Sequence, residues 1–173
     1  MFLSVPATIA LMISSEEIVS ALFGYGSFNE ESVINSAKAL YFFGLGLPAF
    51  ALIKVFSTFF FANHDTKTPF YISLIAVILN IVISVYYFRS IGFIIIPIAT
   101  TISSWFNSIV LFIFLYNRNL FNFNRIFFIK FIKIFFTSII MGVLFKYLIQ
   151  TFEHQLVYDF YFKSIYLVLS VFL

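Results

Sequence analysis

The groups able to do chemistry in this sequence are few, and most lie inside apolar runs. Lys54 stands about eight residues, or ~12 Å at 1.5 Å per residue, before the end of the run that closes with Phe59, Phe60 and Phe61. An ammonium at that depth in hydrocarbon either faces a wet cavity, where it could hold an anionic group, or snorkels to the headgroups. Side chains lean toward a helix's N-terminus and the nearer end is the C-terminal one, so Lys54 is aimed away from the nearer interface, which favours the cavity. Ser73, Asn80, Ser84 and Tyr87 recur at helical spacing on one face, and Thr100, Ser104, Asn107 and Ser108 do the same in the next run. Hydroxyl and carboxamide groups in a membrane turn toward protein, either to bond across a helix contact or to line a substrate path. Gly44, Gly46 and Pro48 allow a close helix contact, a kink or a hinge. Glu16 and Glu17 either reach water at the membrane edge or form a proton or cation site, and Lys146 reads as snorkelling. Catalytic constellations are missing. His64 and His154 are lone, with no paired-ligand spacing, no glycine-rich phosphate loop occurs, and the absence of cysteine excludes disulfides, Cys-ligated zinc, iron–sulfur clusters and thiol nucleophiles. No catalytic residue, metal ligand or cofactor is expected, and an intramembrane enzyme is the weaker alternative.

The elements that must position these groups are membrane spans. Hydrophobic residues make up 62% of the chain and charged ones 10%, with a mean hydropathy of +1.07. An ordinary soluble domain is about 25% charged, so too few charges are present to cover a water-facing surface. The many Phe and Tyr residues accompany an Ile, Asn and Lys excess typical of AT-rich coding sequence, and none is read as functional for its aromaticity. A span needs about 20 mainly apolar residues. Apolar runs and breakers predict helices near 2–23, 33–62, 69–88, 92–116 and 125–149, and an incomplete one from near 160. Thr68 is expected to cap the third and Pro69 to open it. The fold class is therefore all-α, a polytopic transmembrane helix bundle of about five complete spans plus a truncated sixth, in a single region over residues 1–173. Loops with Glu30 and Glu31, or with Glu153 and Asp159, alternate with loops carrying Lys67, or Arg118 and Arg125, with Lys130 and Lys133 just beyond. The basic side is expected to be cytoplasmic, with Arg89 the one dissenter. The basic cluster would also attract anionic membrane lipids. A net charge of +3 gathered in loops offers no groove for a phosphate backbone, so nucleic acid is not expected as a partner. Met1 enters an apolar run with no charged n-region, so a signal peptide is not expected, and SIYLVLSVFL stops inside an apolar run. Both ends suggest a fragment of a longer membrane protein.

Three stretches carry a family likeness: LFGYGSF (Leu22 to Phe28), LGLPAFALIKVFSTFFFANHDTKTPF (Leu45 to Phe70) and IPIATTISSWFNSIVLF (Ile96 to Phe112). Together they resemble the MurJ (MviN) lipid II flippases of the multidrug/oligosaccharidyl-lipid/polysaccharide exporter superfamily, with order and spacing matching across residues 2–120. The second stretch, a Gly-Leu-Pro helix running into an Asp-Thr-x-Thr-Pro loop, is the most specific, and residues 121–173 match only as further helices. The resemblance implies two lobes of helices around a central cavity, of which this chain is part of the second, in the bacterial cytoplasmic (inner) membrane. It implies a transporter, not an enzyme. Its work would be to turn lipid II, the undecaprenyl-linked peptidoglycan precursor, from the cytoplasmic to the periplasmic leaflet by alternating access, in support of peptidoglycan biosynthesis, cell wall organization and cell shape. On that basis Lys54, Tyr25, Asn80 and Asn107 are the candidate substrate or cavity residues. Gly44, Gly46, Pro48, Asp65, Thr66, Thr68 and Pro69 are the candidate conformational and loop residues. Tyr25 replaces the arginine of the family's Gly-Arg-Gly-x-Phe turn, which puts pyrophosphate binding there in doubt, and Lys54 could supply the compensating charge. The implied partners are lipid II, membrane lipids and a missing N-terminal lobe, without which the fragment is expected to be inactive. An exporter of another polysaccharide lipid or a drug, and a non-transporting membrane scaffold module, are the alternatives.

Overall fold

The computed structural model describes residues 3–24, 29–118 and 125–151. Their elements are helical: α1 (Ser4–Phe23), α2 (Glu30–Ala62), α3 (Lys67–Ile91), α4 (Ile95–Asn117) and α5 (Arg125–Thr151), with a 3-10 turn over Gly92–Ile94. Four apolar helical stretches among the described residues are long enough to cross a membrane: Ser4–Phe23, Glu30–Ala62, Lys67–Asn117 and Ile129–Thr151. The third is α3 and α4 taken together across the turn at Gly92, so the five expected complete spans are the five helices. The sixth, expected from near 160, lies outside the described residues.

Local chemistry explains where these helices start and bend. Asn29 accepts the Ser32 N–H at 2.9 Å, and Glu30 and Glu31 complement the positive end of the helix, so α2 begins three residues before its expected start. Helix α3 likewise begins at Lys67, two residues before Pro69, the predicted first residue. Thr68 is not its cap: the Asp65 carboxylate accepts the Thr68 N–H at 3.0 Å, and Pro69 falls in the first turn, where a missing N–H costs nothing. Helix α1 carries Pro6 near its start but bends at Ser14 (φ −122°, ψ 24°), whose hydroxyl donates back to the Ala10 carbonyl at 2.7 Å. Gly92 reverses the chain at φ 74°, a conformation open to glycine.

Helices α1 and α2 pack as an antiparallel pair, as do α3 and α4. Helix α4 lies against both α2 and α3, while α1 joins α2 to α5 and α2 scarcely touches α3, giving the lateral order α5–α1–α2–α4–α3. The largest apolar cluster joins Phe56 and Phe60 of α2 to Leu111 and Leu115 of α4, with Ile72 of α3. A smaller one joins Val19 to Val33 and Ala37. Much of α3 and α5 stays exposed, Ile78 at 52% and Val143 at 64%. Such faces suit lipid tails or further helices, because hydrocarbon gives no hydrophobic penalty for leaving them uncovered.

Candidate functional site

The first cluster of interest is built around Pro48. A proline nitrogen has no proton, so the Gly44 carbonyl four residues earlier loses its partner in the helix. Thr8 of α1 stands beside it, its single hydroxyl proton shared between the Gly44 carbonyl at 3.1 Å and the Ser4 carbonyl of its own helix at 2.8 Å. From the other side α4 supplies two donors: the Thr101 hydroxyl to the Phe42 carbonyl at 2.6 Å and the Trp105 indole N–H to the Leu45 carbonyl at 3.1 Å. The glycines admit these neighbours. A Cβ at Gly44 would stand 3.2 Å from the Leu11 Cβ, and one at Gly46 3.2 Å from the Thr101 hydroxyl. Of the three readings open for Gly44, Gly46 and Pro48, close contact is thus present on both sides of α2, and it is coupled to the proline's unmet carbonyl. Sequence reasoning passed over Thr8, Thr101 and Trp105, although a polar group one helix away from an intramembrane proline is the signal to look for.

The second cluster lines a cleft of about 310 Å³ between α2, α3 and α4, open along one side. Phe50 and Ile53 of α2 form one wall, Ser73, Val77, Asn80 and Ile81 of α3 the other, and Thr100, Ser103, Ser104 and Asn107 of α4 the floor. The Asn80 carboxamide donates to Thr100 Oγ1 at 3.1 Å and Ser103 Oγ at 3.2 Å, and accepts from Ser84 at 3.4 Å. About one to two turns away, Asn107 Nδ2 donates to Ser73 Oγ at 3.3 Å. The two polar stripes therefore face each other across the α3–α4 contact and bond, and they also line a cavity. Tyr87 does not join them: it is exposed and packs edge-on to Tyr86 at 4.9 Å. Ser103, which the spacing rule missed, takes its place as a bonding partner.

The third cluster ties two loops together. Thr68 donates its hydroxyl to Asp65 Oδ2 at 2.7 Å and its N–H to Oδ1, while Arg118 donates Nη1 to Oδ2 and Nη2 to Thr68 Oγ1 at 3.2 Å. Arg118 also lies over the Phe60 ring, 5.7 Å from its centroid. The Thr68 hydroxyl and N–H, with the Arg118 guanidinium, hold the Asp65 carboxyl well below the usual carboxylate range. Thr66 is exposed and Pro69 buried. His64 adopts φ 57° in the same loop.

Lys54 joins none of these clusters. It is exposed on α2 and lines an open groove of about 650 Å³ with Leu47, Phe50 and Ala51, opposite Leu3, Ser4 and Ala7 at the start of α1. Tyr25 lies outside the described residues, as do Glu153, His154 and Asp159. Glu16 and Lys146 are exposed.

A family model described as lipid II flippase MurJ matches residues 1–167. The chain belongs to the MurJ lipid II flippase family. The match includes α5, which carries no motif of its own. Among MurJ relatives, the probable lipid II flippase of Rhizobium tropici is 38% identical over 118 residues, 68% of this chain and 22% of that protein. The Rhizobium meliloti (strain 1021) protein of the same name is 41% identical over 112 residues, 65% of this chain and 21% of its own length. The Thermotoga maritima protein, again a probable lipid II flippase MurJ, is 35% identical over 156 residues, covering 90% of this chain and 31% of that protein. The chain thus spans between a fifth and a third of the length of these MurJ proteins.

Proposed function

We propose that this chain forms part of the second lobe of a lipid II flippase, carrying the undecaprenyl-linked precursor from the cytoplasmic to the periplasmic leaflet of the bacterial inner membrane. The observation that carries this reading is the family match over residues 1–167. The side bearing Asp65, Lys67, Arg118, Lys130 and Lys133 is the cytoplasmic one by its excess of basic residues. A flippase must offset the hydration that a pyrophosphate loses on leaving the leaflet surface, which calls for cations in a wet cavity and an apolar track for the tail. Lys54, an ammonium beside the mostly apolar α1–α2 groove, is the group of this segment suited to that role. Gly44, Gly46 and Pro48 would give α2 the two-sided contact on which a change of access turns, and Asp65, Thr66, Thr68 and Pro69 the loop that carries α3 with it. A cavity needs both lobes, so the remainder of the polypeptide is the necessary partner.

Lys54→Ala in the intact parent protein is expected to lower lipid II flipping in inverted membrane vesicles while leaving insertion and abundance unchanged. Unchanged flipping would remove Lys54 from the site. Residues 1–173 reconstituted alone are expected to give no flipping above empty vesicles, and transport by them would sink the requirement for a second lobe.

A further inference from the structure

Asn107 is 7% exposed, lies on the floor of the cavity between α2, α3 and α4, and has a carboxamide oxygen with no hydrogen-bond partner among the described residues. Its nitrogen is met by Ser73. Turning the amide over exchanges which end faces Ser73 and leaves the other end unmet, so an orphaned polar atom survives either assignment. Three hydroxyls of the α4 floor have their protons committed elsewhere. Thr100 donates to the Ile96 carbonyl at 2.8 Å, Ser103 to the Thr100 carbonyl at 3.0 Å, and Ser104 to the same carbonyl at 2.7 Å, so their protons are turned back into their own helix. Both Asn80 amide protons go to Thr100 and Ser103. Thr100 and Ser103 thus already accept from Asn80 while Ser104 keeps its lone pairs free, so the floor has acceptors to spare and is short of donors.

A buried acceptor in a membrane-spanning segment is costly unless a donor reaches it, and a polar cavity needs room for only one probe-sized sphere to hold a water. About 310 Å³ is ample. The lining includes no carboxylate and no other charged side chain, so nothing in it offsets the desolvation of a full positive charge, whereas water brings two protons and no charge. We propose that this cavity is a hydration site, in which internal water donates to Asn107 Oδ1 and bridges it to the acceptor oxygens of the α4 floor. The inference does not depend on what the protein carries.

The chain has no cysteine of its own, so single cysteines report on water access cleanly. Thiolate, not thiol, reacts with a methanethiosulfonate reagent, and thiolate forms where water reaches. In the intact protein in membrane vesicles, with other reactive cysteines removed, Ala76→Cys on the cavity wall is expected to react at least about tenfold faster than Ile78→Cys on the outward face. Adding Asn107→Leu, close in volume but apolar, is expected to bring the Ala76→Cys rate down to that of Ile78→Cys. Asn107→Ser, which keeps a polar group, should leave the rate high, and this separates drying from misfolding. Equal rates at the two cysteines, or a rate indifferent to Asn107→Leu, would overturn the hydration site. A high rate that vanishes when choline replaces sodium would overturn it in favour of a bound cation.

Discussion

Asp65 takes donors from two directions: Thr68 in the first turn of the helix that follows it and Arg118 from the end of α4, 53 residues away. Its depressed pKa sets the sign of the pH dependence. The stabilisation is fully present above the ordinary carboxylate range and is lost only as pH falls through the depressed value. Asp65→Asn should therefore lower the melting temperature in detergent by an amount that stays constant between about pH 5 and about pH 8. A difference that stayed constant even as the pH fell below about 4 would mean that the carboxylate titrates normally and is not held. Arg118→Lys tests the other half of the contact. An ammonium cannot fork between Asp65 Oδ2 and Thr68 Oγ1, so the lysine variant should retain only part of the stability that Arg118→Ala loses.

At the scale of helices, the contact of α1 with α2 includes a backbone group that Pro48 sets free. Thr8→Val removes the donor to the Gly44 carbonyl, and a buried carbonyl left unmet costs about 1–3 kcal/mol. With Pro48→Ala the helix supplies its own N–H to Gly44, and the cost of Thr8→Val should fall to within about 0.5 kcal/mol of zero, a coupling that a double-mutant cycle of thermal unfolding would read. Additive effects would show that Thr8 acts by packing alone. The spans themselves were legible in the sequence, because apolar runs near 20 residues long can do little else, and so were the two facing stripes, because their spacing is helical. Less was legible where a partner lies far along the chain. Thr8 and Trp105 give no periodic signal, since each is a single donor aimed at another helix's backbone. The start of α3 was placed at Pro69 because Thr-Pro is a strong local signal, and it was displaced by Asp65, whose cap is reinforced by an arginine no local rule could supply. The bend of α1 at Ser14, beside its back-bond to Ala10, left no mark in the sequence pattern.

Across the whole described bundle, helices join in a single file, so each junction carries its own weight. Helix α5 is attached through α1, where Gly142 faces Ile9: a Cβ there would stand 2.4 Å from Ile9 Cγ2. Gly142→Ala should cost about 1–3 kcal/mol by overpacking, and Ile9→Ala should recover most of it, both measured by thermal unfolding. A neutral Gly142→Ala would mean that α5 can shift without resistance. At the centre of the file stands α2, with carbonyls bonded to α1 on one side and α4 on the other. In water, helices can slide past such bonds gradually, because solvent takes up each carbonyl as its donor leaves. In hydrocarbon no such stand-in exists, and a half-displaced Thr8 would leave Gly44 with nothing. Of the three carbonyls that α2 offers its neighbours, only that of Gly44 has lost its place in the helix ladder to Pro48, so it is the one that resists displacement of a neighbouring helix most.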